Sequence, residues 1–184
     1  LTMWHINKAV RDLKHGGVIA YPTEAVYGLG CLPWDAFAVA RILALKKRHP
    51  DKGLILVASN IEQLEPIANF TSLPTEIIFA SWPGTVTWIV PAREWVPAWL
   101  TGNHKGIAVR VSAHPVVRKL CSSVGPIVST SANPSDLKPA KTALRVRTYF
   151  GNQINFIVPG QLGNSMKPTE IRDALTGKLI RKSR

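Results

Sequence analysis

Acidic side chains are scarce in this chain: 184 residues carry 11 Asp and Glu against 23 Lys and Arg, a formal net charge of +12. Cysteine is scarcer still, and Cys31 and Cys121 read as buried, reduced thiols rather than a disulfide. No apolar run approaches the ~20 residues of a membrane span. The opening LTMWHINKAV lacks the basic start and long apolar stretch of a secretory leader, so the expected location is cytoplasmic. Histidines 5, 15, 49, 104 and 114, with the two cysteines, show no zinc-ligand spacing, which argues against a protein-built metal centre. A Walker A loop is missing, Gly28-Leu29-Gly30 does not continue to GxGxxG, and there is no GxSxG elbow. A nucleotide, if bound, is therefore not held in either standard way, and nothing marks a serine hydrolase.

What is present describes one globular domain spanning 1–184, with 46% hydrophobic and 18% charged residues and length enough to bury a full core. The positive charge is uneven. From residue 138 onward ten Lys or Arg stand against Glu170 and Asp173 alone, a skew that favours polyanionic partners, either nucleic acid or phosphorylated small molecules.

Ile6, Ala9, Val10 and Leu13 predict a first amphipathic helix ending near Gly16-Gly17. The strand that follows runs into Pro-Thr-Glu and a glycine turn over VIAYPTEAVYGLG at 18–30. A strand-to-loop junction of this kind is where α/β proteins hold ligands, which makes Thr23 and Glu24 the first polar groups to consider. Asp35 can cap a second helix ending in Lys46-Lys47-Arg48. That cationic cluster either offsets the helix dipole or clamps a phosphate beside the strand at 53–58. Asn60 with Gln63 predicts a short helix ending near Pro66, and 74–79 another. Residues 82–92 read as a turn and a strand, and 93–102 as a loop whose Trp95 and Trp99 pack at the core edge.

Arg110 interrupts the apolar strand at 106–111 and needs an anion or a carboxylate to be tolerated there; substrate site and structural ion pair are both open. A helix over 115–122, a strand over 126–129 and the hydroxyl-dense loop Ser-Thr-Ser-Ala-Asn at 129–133 follow. A basic helix at 142–150, a strand at 154–160, a glycine-containing loop and two strands near 169–174 and 178–182 close the chain. The polar groups left at strand ends are Thr23, Lys46, Arg48, Lys52, Arg110, Ser129, Ser131, Asn133, Thr169 and Arg181, a set that suits anion binding rather than proton shuttling.

At these residues the sequence resembles the YrdC family, and closely its short bacterial members. The matching motifs are YPTEAVYGLG at 21–30, Lys46 to Arg48, the WPG segment ending in Thr87, AVRVSAHP at 108–115, STSAN at 129–133 and EIRD at 170–173. The resemblance implies an α/β fold of α+β type, a single domain with a twisted mixed sheet flanked by helices in the YrdC/RibB-like manner around a basic concave surface. It also implies a nucleotidyltransferase that turns L-threonine, bicarbonate and ATP into threonylcarbamoyl-AMP and pyrophosphate. The product serves threonylcarbamoyladenosine synthesis at tRNA position 37, through a partner threonylcarbamoyl transferase complex. Carried over by motif position, Thr23, Arg110, Ser129 and Thr169 hold threonine. Lys46, Arg48, Lys52, Ser131, Asn133 and Arg181 surround the nucleotide, with Lys46 and Arg48 catalytic. Mg2+ arrives held mainly by the phosphates. By the same resemblance, Lys52 takes the place of a commonly seen Asn, Val57 that of a His which in the longer relatives helps to hold threonine, and Asp136 a position often Gly. Glu24 reads as a residue that orders its loop, outside the site. The alternative function is an RNA-binding or ribosome-maturation factor acting through the basic surface.

Overall fold

In the computed structural model, which describes residues 1–165 and 169–182, the helical spacing of Ile6, Ala9 and Leu13 becomes the buried stripe of α1 (Met3–Lys14). The next stretch departs from expectation. The chain does not pass from a strand into a glycine turn; it folds back at once as a hairpin of β1 (Ile19–Pro22) and β2 (Tyr27–Gly30). Gly28 and Gly30 are strand residues. Glycine is required at 30, because a Cβ there would meet the Val128 carbonyl oxygen at 2.5 Å.

Asp35 caps α2 (Ala36–Lys46) as predicted, accepting from the Ala38 amide, and Lys47 ends the helix in a left-handed conformation. After β3 (Ile55–Ala58), residues 60–67 form turns and not a helix, although Asn60 does accept the Gln63 amide at 3.2 Å. The Gln63 side chain is drawn away to Ser59 and Cys121 instead. Next come α3 (Thr75–Ala80), β4 (Val86–Pro91), the one-turn α4 (Ala98–Thr101), β5 (Gly106–Val111) and α5 (Pro115–Val124). Trp95 packs on Trp34 with ring centroids 5.0 Å apart, and the Trp99 indole donates to the Pro33 carbonyl.

β6 (Ile127–Ser131) takes in Ser129 to Ser131, so three of the five residues of the expected loop are strand. α6 (Ala143–Phe150) follows, while the strand expected over 154–160 shrinks to β7 (Phe156–Ile157). β8 (Glu170–Asp173) and β9 (Leu179–Arg181) match the closing strands. The glycine-containing loop is seen to Ser165, and 166–168 lie outside the described residues. Asp136 has φ 69°, a left-handed backbone that Asp tolerates better than most residues.

Among the described residues nine strands join one mixed sheet in the order β7-β1-β2-β6-β3-β5-β4-β8-β9, giving a single α/β domain. Strand alternation divides its side chains between two faces. Ala20, Leu29, Leu56, Ala58, Val109 and Val128 face the larger core, closed by α2, α3 and α6. Ile19, Tyr21, Val57 and Ile127 face a second cluster with Ile6, Leu13, Val117 and Leu120 of α1 and α5. Full burial of each such aliphatic side chain stabilises the fold by about 1.5–3 kcal/mol. Both cysteines are free and buried, and burial pushes each thiol up to about 12. Among the described residues no helix is long and apolar enough to cross a membrane.

Candidate active site

Helices α1 and α5 cover only part of their face of the sheet. The remainder is the floor of a cavity of about 1030 Å³. Its central row follows from register: Asp173 pairs with Ile89, Ile89 with Ala108, Ala108 with Ile55 and Ile55 with Ser129. Two residues further along the strands, and so on the same face, Arg110 lies beside Val57. The floor is thus apolar at its centre, with polar groups around it.

Every residue expected in the site from sequence lines this cavity: Thr23, Lys46, Arg48, Lys52, Arg110, Ser129, Ser131, Asn133, Thr169 and Arg181. Several arrive with hydrogen bonds already made. Thr23 Oγ1 donates to the Val26 carbonyl at 2.7 Å, which closes the β1–β2 loop. Asn133 Nδ2 donates to the Pro134 and Leu137 carbonyls, leaving Oδ1 buried without a partner. Lys46 Nζ, at the end of α2, donates to the carbonyls of Ser131 at 2.6 Å and Asn133 at 2.8 Å. Ser135 returns the contact, its amide and hydroxyl both bonding the Lys46 carbonyl at 2.7 Å. The helix end and the Ser-Thr-Ser-Ala-Asn segment are therefore one unit.

Around that unit the cavity gathers cations. Arg48 Nη2 donates to the Gly53 carbonyl at 2.9 Å, and its Nε is buried and unpaired. Arg181 Nη2 donates to the Thr169 carbonyl at 3.0 Å. Burial, followed by the nearby Arg48 charge, lowers the Lys46 ammonium to about 8. The same two causes depress Arg181, and burial depresses Arg48. Arg48 adds its charge to the perturbation of both Lys46 and Arg181, and among the described residues no carboxylate is paired with any of the three, a grouping that suits a polyanion.

Glu24, which sequence reasoning left outside the site, is part of its wall. Its Oε1 accepts from Arg110 Nη1 at 2.7 Å, Ser112 Oγ at 2.6 Å and the Ala113 amide at 3.2 Å. Burial pushes the carboxyl up, but Arg110 and Ser112 outweigh it and hold Glu24 below the usual carboxylate range. The two readings open for Arg110 are thus joined: the guanidinium sits in a buried ion pair and also lines the cavity. No local signal could locate this pair, because its members lie 86 residues apart. The main chain of the same loop holds a later segment: the Glu24 carbonyl accepts the Ser165 amide and the Thr23 carbonyl that of Gly163. A Cβ at Gly163 would stand 2.9 Å from Glu24 Cα, so only glycine lets the two segments approach. His114 holds the same segment, with Nε2 3.2 Å from the Gln161 carbonyl and Nδ1 accepting the Val116 amide. Burial lowers its pKa, in keeping with a neutral ring.

The family model Sua5_yciO_yrdC, described as telomere recombination, matches residues 11–183. The chain belongs to the Sua5/YciO/YrdC family. Among its relatives, a threonylcarbamoyl-AMP synthase of Pseudomonas fluorescens is 48% identical over 184 residues, covering 100% of both chains. One of Pseudomonas entomophila is 49% identical over 98% of each. Of solved Sua5/YciO/YrdC structures, E. coli YciO superposes with a TM-score of 0.88 at 26% identity, over 99% of this chain and 90% of the other. P. abyssi Sua5 complexed with L-threonine superposes with a TM-score of 0.91 at 33% identity over all of this chain. This chain spans 55% of that Sua5.

Proposed function

We infer that this chain is a threonylcarbamoyl-AMP synthase, converting L-threonine, bicarbonate and ATP into L-threonylcarbamoyl-AMP and pyrophosphate. The observation that carries the reading is one cavity holding the uncompensated cations Lys46, Arg48 and Arg181 together with the half-engaged guanidinium of Arg110. Full-length identity near 48% to synthases of this name supports it.

The chemistry needs two anions brought together. Threonine's amine and bicarbonate give a carbamate and water; a carbamate oxygen then attacks the α-phosphorus of ATP, and pyrophosphate leaves with the electron pair of the broken P–O bond. Arg110, Thr23, Ser129 and Thr169 hold the amino acid, the guanidinium pairing with its carboxylate. Lys46 and Arg48, with Lys52, Ser131, Asn133 and Arg181, take the nucleotide, and the cations offset the repulsion between carbamate and phosphate and the charge growing on pyrophosphate. Magnesium enters as part of the Mg–ATP substrate, carried by phosphate oxygens. The acceptor of the product is a tRNA-modifying threonylcarbamoyl transferase complex.

Incubated with Mg–ATP, bicarbonate and L-threonine, the protein releases pyrophosphate only when threonine is present; threonine-independent release, or none, rejects the reading. Arg48→Ala weakens ATP binding about 10- to 100-fold in calorimetry, the weight of a lost charged hydrogen bond. An unchanged ATP affinity would remove Arg48 from the nucleotide site.

A further inference from the structure

The ion pair of Glu24 and Arg110 leaves a buried polar atom without a partner on each residue. Arg110 commits Nη1 to Glu24 and to the Gly84 carbonyl at 3.2 Å, while its Nε is buried with no partner. Glu24 commits Oε1 to three donors, while Oε2 is buried with none. Both residues line the cavity and both are more than nine-tenths buried. An unpaired carboxylate oxygen shielded from water is costly, and a ligand N–H removes that cost. A lone carboxylate ligand answers only Arg110. An α-amino acid answers both residues, because its carboxylate and ammonium sit on one carbon as the two charges of the pair sit side by side.

We propose that Glu24 Oε2 receives the α-amino group of the substrate, so that the Glu24–Arg110 pair reads the zwitterion as a unit and selects α-amino acids over other carboxylic acids. The proposal rests on the synthase reading above and adds to it the residue that recognises the nitrogen to be carbamoylated. The other acidic residue of the cavity wall, Asp173, is placed differently. Its strand is two removed from that of Arg110 in the sheet, roughly 10 Å away, and its Oδ1 accepts the amides of Leu175 and Thr176.

The test compares binding of L-threonine with binding of 3-hydroxybutyrate, the same molecule without its amino group, to the full chain. In Glu24→Gln the amide keeps the size of the side chain but removes its charge and sets a donor against the ammonium. Threonine then binds about tenfold or more weakly, whereas 3-hydroxybutyrate binds as before or more tightly, because Arg110 no longer shares its charge. Glu24→Asp, which keeps the charge but withdraws it by one methylene, also weakens threonine selectively, and Asp173→Asn leaves the ratio of the two ligands unchanged. ATP affinity is the same in all three. Parallel weakening of both ligands in Glu24→Gln, or no change in either, would overturn the proposal by reducing Glu24 to a support for Arg110. Wild-type protein that binds no threonine would remove the synthase reading and the proposal with it. Threonine-dependent pyrophosphate release by the wild type, with parallel weakening in the variant, removes the proposal alone.

Discussion

Arg110→Ala abolishes threonine-dependent pyrophosphate release and also lowers folding stability by about 3–5 kcal/mol, the usual cost of removing one partner from a buried ion pair. The two losses share one cause. Glu24 is left with only Ser112 Oγ and the Ala113 amide, and burial, until then outweighed by Arg110, pushes its carboxyl up. The pH dependence has a definite sign. In the wild type the folded-state pKa of Glu24 is depressed, so the pair's stabilisation is present above the unfolded value of about 4.3 and is lost as pH falls through the folded value. In the variant the buried, unpaired carboxylate is penalised at neutral pH and relieved by protonation. The stability gap between wild type and variant, measured by urea denaturation, therefore narrows from pH 7 to pH 4. A gap of equal size at both pH values would show that something other than this pair had been lost.

Lys46→Met is expected to weaken ATP binding about 10- to 100-fold at pH 7, since it removes a charged donor and loosens the joint between α2 and the segment after β6. The wild type provides its own titration. With the Lys46 ammonium lowered to about 8, ATP affinity falls as pH rises above about 8, because the phosphates bind the protonated form and binding there takes up a proton. Stability of the ligand-free protein moves the other way. Between about 8 and the unfolded value of about 10.4 the unfolded chain holds the extra proton, so stability rises with pH. Calorimetry in buffers of different ionisation enthalpy reads the proton uptake directly. Lys46→Met should show no such uptake near pH 8, and uptake of wild-type size in the variant would assign it to another group.

Much of the architecture was legible locally. Asp35 announces α2 by its cap, and Ile6, Ala9 and Leu13 announce α1 by their spacing. The cations and hydroxyls singled out in the sequence line the cavity: Arg110 and Ser129 through strand alternation, and Lys46 through the end of α2. What escaped is non-local. The Gly28 and Gly30 stretch looks like a turn until Ser131 and Thr130 are set against Gly28 and Leu29 across the sheet. The 60–67 segment carries a helix-start pair, but Gln63 bonds Ser59 and Cys121. Glu24 looks dispensable until β5 and the Ser112 turn bring it three donors from residues 110 to 113.

The alternation that places Leu56, Ala58 and Val109 in the larger core and Ile55, Ala108 and Arg110 beneath the cavity also restricts how chains of this family can diverge. A single residue inserted into or deleted from β3, β5 or β6 would exchange the two faces beyond that point, burying Arg110 or Ser129 in the apolar core and turning leucines toward the ligands. Insertions and deletions are thus better accommodated in the connecting loops than in these strands. Within these strands, the groups offered to a ligand change at alternate residues.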